Sequence, residues 1–123
     1  MQPLGFAMYS FNDNLDVIDD KPIIIKARVQ LLSTEDGGRH TPIVGGVPFR
    51  PNHNFGDSEN RNFYIGQINF EKDDLVNPGD ERNVEIIFLN VKGLRDLLIV
   101  GVFWRIQEGP TVIATGEVLE IET

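Results

Sequence analysis

The residues with the most chemical potential follow a glycine pair: Gly37-Gly38 leads into Arg39, His40 and Thr41. Glycine lets backbone approach a partner closely, and adjacent guanidinium, imidazole and hydroxyl groups can dock a carboxylate or another anion. The same three residues can instead serve their own loop. In that reading Arg39 and Thr41 hydrogen-bond nearby backbone and hold the return path of the chain. Between Gly37 and Tyr64, Arg39, Arg50 and Arg61 face only Asp57 and Glu59, and are interleaved with Phe49, Phe55, Phe63 and Tyr64. Arginine and aromatic side chains together bind phosphates and stack on bases, but the cations here are sparse and the aromatics suit a core equally well.

Other constellations point to less. His40, His53 and Asp57 have an irregular spacing that fits no standard zinc site. Asp13, Asp16, Asp19 and Asp20 lack the glycine and terminal glutamate of a calcium loop, so they read as a solvated acidic segment. The pair Asp73-Asp74 has no nucleophile elbow to work with, and with only two histidines no general acid and base can be assigned. The chain holds no cysteine, which excludes disulfides and thiol chemistry. No enzymatic activity, metal or cofactor is expected.

These residues must be positioned by strands. Residues 23 to 32 read IIIKARVQLL, in which Ile25, Ala27, Val29 and Leu31 alternate with Lys26, Arg28 and Gln30. That period of two predicts a strand with one face on a core and one in water. Further strands are predicted over Phe63 to Phe70, Val84 to Val91, Leu97 to Ile106 and Val112 to Ile121. Breakers lie between them, among them Asn77-Pro78-Gly79-Asp80, which suits a type II turn: proline presets φ at the second position and glycine accepts the positive φ at the third. No helical periodicity persists for three turns, so an antiparallel barrel or sandwich is expected.

The whole chain has 123 residues, 41% of them hydrophobic and 24% charged, which is enough for one stable core. A formal net charge of −8 supplies no global attraction for polyphosphate. No apolar run approaches the roughly 20 residues needed to span a bilayer, and Met1 to Asp20 lacks the pattern of a signal sequence. A soluble, cytoplasmic protein is expected. Residues 1–22 are read as an N-terminal arm carrying Phe6, Met8, Tyr9 and Phe11 ahead of the aspartates, and residues 23–123 as a single barrel domain.

The segment Ala27 to Pro51, ARVQLLSTEDGGRHTPIVGGVPFRP, resembles the first strand and following loop of the C-terminal (third) domain of elongation factor Tu. That family shows an acidic residue, GGRHTP, a short apolar and glycine segment, then an aromatic residue with Arg-Pro. Here these are Asp36, Gly37 to Pro42, Ile43 to Pro48, and Phe49-Arg50-Pro51. Gly66-Gln67-Ile68 is similar to the family's Gly-x-Ile, Asn77-Pro78-Gly79-Asp80 to its Pro-Gly-Asp turn, and Trp104 to Gly109 to its FAIREG. Thr115-Gly116-Glu117-Val118 resembles the ending of its last strand.

The resemblance implies a six-stranded antiparallel β-barrel standing without a GTPase domain, since no GxxxxGK[ST] occurs. It implies a translation-related binding role and names the surface that touches the T stem of aminoacyl-tRNA. Those positions are mostly altered: the family's glutamine is Asn52, its threonine is Ile65, a family lysine lies near Lys92, and Glu108 and Gly109 agree. The loops from Pro42 to Phe49 and from Pro51 to Gly66 are longer than in the family. The candidate partner-binding residues are therefore Arg39, His40, Thr41, Arg50, Asn52, Arg61, Lys92, Glu108 and Gly109. A non-catalytic module engaging a protein is expected. The alternative is an RNA-binding barrel, which the net charge and the altered positions disfavour, and a third reading is self-association through the N-terminal arm.

Overall fold

The computed structural model describes residues 21–57, 60 and 62–122. Most of the expected arm, and Arg61 with it, lies outside these. The alternation at Ile23–Leu31 becomes strand β1, whose odd-numbered side chains from Ile23 to Leu31 are buried while Lys26 is exposed. After it come β2 (Ile43–Val44), β3 (Asn52–Asn54), β4 (Phe63–Asn69), β5 (Leu75–Val76) and β6 (Glu81–Phe88). A one-turn helix α1 (Leu94–Leu97), β7 (Phe103–Glu108) and β8 (Thr111–Ile121) complete the chain.

Six strands close into an antiparallel barrel in the order β1-β6-β4-β3-β7-β8, and β2 pairs with β5 as a separate two-stranded sheet. The expected six-stranded barrel is therefore the fold. Closure gives every barrel strand a neighbour on both sides. Because neighbours run antiparallel, the β1–β3, β4–β6 and β7–β8 connections gather at one end, which carries the β2–β5 sheet. The β3–β4 and β6–β7 connections lie at the opposite end, where the chain enters β1. No helix among the described residues is long and apolar enough to cross a membrane.

Two local expectations change. The apolar run from Leu97 to Ile106 is not one strand: Leu97 ends α1, the chain turns through Gly101 at φ 92, and β7 begins only at Phe103. The reason is an i, i+4 pair. Leu94 and Leu98 both face the core, and one helical turn places them on the same side. Asn52–Asn54 was not expected as a strand, because its Asn-His-Asn sequence shows no hydrophobic alternation, yet it bridges β4 and β7 as β3. The expected turn at Asn77 to Asp80 forms, with Gly79 at φ 91 and the Asp80 amide donating to the Asn77 carbonyl at 2.9 Å.

The barrel interior is aliphatic along β1 and aromatic across β3, β6 and β7. Trp104 stacks on Phe55 with ring centroids 5.3 Å apart, and His53 meets the edge of Phe88 at 4.8 Å. Two strand glycines make room for these rings. A Cβ on Gly66 would lie 2.8 Å from the Phe88 ring and 2.9 Å from His53 Nε2, and one on Gly116 would lie 2.6 Å from Trp104. The two glycine motifs of β4 and β8 thus have one physical cause, the seating of a bulky ring from the residue paired with each glycine on the neighbouring strand.

Candidate functional site

The connection between β1 and β2 is pinned by its own residues. The Ser33 carbonyl accepts from the Asp36 and Gly38 amides, and Thr34 Oγ1 donates to the Arg39 carbonyl at 2.6 Å. Arg39 then reaches across to the β7–β8 hairpin, where Nη1 donates to both carboxylate oxygens of Glu108 at 2.7 and 2.6 Å. Its Nε donates to the Thr41 carbonyl at 3.1 Å and its Nη2 to Thr41 Oγ1 at 3.3 Å, while the guanidinium lies 5.8 Å from the centre of the Phe49 ring.

Arg39, Thr41 and Glu108 are therefore each other's partners, and the loop-holding reading of Arg39 and Thr41 is what the geometry displays. Gly109, at φ 58, shapes the turn that presents Glu108. His40 is exposed beside them, and a depression of about 450 Å³ opens between Gly37–Thr41 and Glu108. The pair is partly exposed, so Glu108→Gln is expected to cost at most about 1 kcal/mol of global stability. Its effect should instead be local, with faster amide exchange over residues 33–41 read by mass spectrometry.

The remaining candidates disperse. Arg50 is exposed and donates to Gln67 Oε1 at 3.1 Å on the outer face of β4. Asn52 sits in β3 between Ile65 and Gln107. Lys92 lies at the opposite end of the barrel, in the β6–β7 connection, so it shares no surface with Arg39. Of the positions that the resemblance implies as tRNA contacts, the altered ones are neighbours: Asn52 pairs with Ile65, and Ile65 lines a shallow depression with Lys92.

His53, weighed above with His40 and Asp57, is an interior residue. Trp104 Nε1 donates to its Nδ1 at 3.0 Å, and its Nε2 lies 3.0 Å from the Gly66 carbonyl. With Nδ1 accepting, Nε2 carries the proton and donates, so the ring is neutral. Full burial pushes its pKa down to about 4, against an upward pull from the Gly66 carbonyl. Among the described residues no three histidines, aspartates or glutamates gather as a metal set.

The surface that sequence reasoning missed is the β2–β5 sheet. Ile43 pairs with Val76 and both are buried, whereas their neighbours Val44 and Leu75 pair with each other and face solvent, 52% and 51% exposed. Val47, 61% exposed, extends this patch. The sheet is held firmly, since the Gly45 amide donates to the Asp74 carbonyl at 2.7 Å and a Cβ on Gly45 would lie 1.8 Å from the Glu71 carbonyl oxygen. Arg82 clamps Asp74 through Nε at 2.9 Å and Nη2 at 3.3 Å, and this hydrogen bonding holds the Asp74 carboxyl below the usual range. The segment beside the patch carries Glu71, Asp73, Asp74 and Asp80 with Lys72, and Arg82 pairs with two of these carboxylates, Asp74 and Asp80. The available signal was the placement of Val44, Val47 and Leu75 among glycines and acids rather than in an alternating run. No protein-family model matches the chain.

Proposed function

We propose that this chain is a non-catalytic protein-binding module, built like the third domain of elongation factor Tu and serving a translation-related role. The observation that carries the reading is the exposed pair of Val44 and Leu75 on a clasped two-stranded sheet, with Val47 exposed three residues after Val44 and with Glu71 and Asp73 in the adjoining segment. Rigid apolar surface beside a carboxylate-rich segment suits a partner that presents apolar side chains flanked by lysine or arginine. The lengthened loop from Pro42 to Phe49 is the one that forms β2.

The state of the cations supports a protein partner over RNA. Arg28 pairs with Glu117 at 2.5 Å, Arg39 with Glu108, and Arg82 with Asp74, while Arg105 donates to the Gly56 carbonyl. Guanidinium groups committed to internal carboxylates are poor collectors of phosphate. The test compares the native protein with Val47→Asp and with Val100→Asp, a control at the other end of the barrel, as bait in native lysate. A partner held by the native protein and by Val100→Asp, but reduced at least tenfold by Val47→Asp, is the expected result. No recovered protein, or recovery indifferent to Val47→Asp, overturns it. So does a shift of tRNA whose log-log salt slope gains about 0.7 to 0.9 for each phosphate neutralised.

A further inference from the structure

A second apolar patch occupies the other end of the barrel. Leu97, Ile99 and Val100 in the β6–β7 connection and Phe103 at the start of β7 are exposed, the last at 68%. They lie within seven residues and are held to the barrel by backbone bonds, the Gly101 amide donating to the Val118 carbonyl at 2.8 Å and the Val118 amide to the Val102 carbonyl at 3.0 Å. The same connection carries Lys92 and Arg95, both exposed and with no ion pair among the described residues. An exposed run of this kind beside unmatched cations calls for a cover that is apolar in one part and acidic in another.

The first 20 residues have that composition in order. Leu4, Phe6, Met8, Tyr9 and Phe11 come first, then Asp13, Asp16, Asp19 and Asp20, with no lysine or arginine among them. They also join the barrel at the right end. β8 runs between β1 and β7, and both Arg28 and Phe103 pair with Glu117, so the entry to β1 at Ile23 lies two strand spacings to the side and five residues along, about 19 Å from Phe103. The ten residue-to-residue steps from Phe11 to Lys21 span up to about 33 Å when extended, which is ample.

We infer that residues 4–11 of the same chain cover the Leu97–Phe103 patch, with the following aspartates set against Lys92 and Arg95. The cover is intramolecular, because the tether holds the segment next to its site at an effective concentration that a second copy does not match at ordinary dilution. This surface is separate from the β2–β5 patch, and its cover stands or falls independently of the proposed partner.

The absence of native cysteine makes the test direct. Ser10→Cys in the full chain, carrying a nitroxide label, is expected to remove more than half the amide signal height at residues 97–103 and to spare Val44 and Val47. Val100→Asp, at a side chain 61% exposed and thus tolerated by the fold, should restore those heights. Lys92→Glu with Arg95→Glu should restore them in part. Undiminished signals at residues 97–103, or broadening that survives Val100→Asp, overturn the inference. Broadening transferred to isotope-labelled, nitroxide-free molecules in a mixed sample also overturns it, since the occupant would then be a second copy.

Discussion

Acidification from about pH 7 to about pH 4 is expected to remove about 3 kcal/mol of folding stability through His53 alone. The folded pKa of this group is pushed down to about 4 from an ordinary 6.5. Below about pH 6.5 the unfolded chain therefore takes up a proton that the folded chain refuses, and stability falls until the folded value is reached. A gap of about 2.5 units at about 1.4 kcal/mol each sets the size of the loss. Geometry gives the reason independently. Nδ1 faces the Trp104 N–H, so a second proton on the ring would set two donors against each other at 3.0 Å inside an aromatic cavity. Urea unfolding at closely spaced pH values checks this, with His53→Gln as reference. Glutamine can still accept from Trp104 but does not titrate, so its stability should be nearly flat between about pH 6.5 and 5. Parallel pH profiles for the two proteins would rule the account out. Carboxylates such as Asp74, held ionised by Arg82, act in the same direction but in a lower window, as their own folded pKa values are approached.

Gly116→Ala is expected to destabilise the barrel by about 3 kcal/mol, at the upper end of what one inserted methyl group costs in a packed core. The new Cβ would stand 2.6 Å from Trp104 Cη2 and Cζ2. The indole has nowhere to retreat: it is 3% exposed, stacked on Phe55, and tied to His53 by its N–H. Gly79→Ala is a useful comparison because nothing lies within 4 Å of its Cβ position and only the φ of 91 resists the side chain. It should cost about 1 kcal/mol, the strain of a left-handed backbone. Combining Gly116→Ala with Trp104→Phe tests the cause. If ring contact is responsible, the double variant loses clearly less than the sum of the two single losses. Additivity would place the cost elsewhere.

The strands with alternating apolar residues were legible because burial on one face writes a period of two into the sequence. β1, β6 and β8 carry that signature, and the Asn-Pro-Gly-Asp turn carries its own chemistry. β3 is silent for the opposite reason: its inward residue is a histidine whose polar atoms are satisfied by Trp104 and Gly66, partners remote in sequence. The run from Leu97 to Ile106 misled because one helical turn is too short to show periodicity. The loop-holding role of Arg39 was readable from residue type, whereas its partner Glu108, 69 positions away, required the barrel to be closed. The β2–β5 patch was least legible, since an exposed valine and a buried one look alike until the pairing of Val44 with Leu75 is known.

The hydrogen bond between Trp104 and His53 has a practical consequence. Trp104 is the sole tryptophan of the chain, buried, and in contact through its indole N–H with the group that titrates. An imidazolium is a strong quencher of indole emission, so the chain carries its own optical gauge of interior protonation. Fluorescence intensity and lifetime in the folded state should step near the depressed pKa of His53, while the emission maximum holds its buried wavelength until the barrel opens. One cuvette then separates proton entry into an intact interior from loss of the fold.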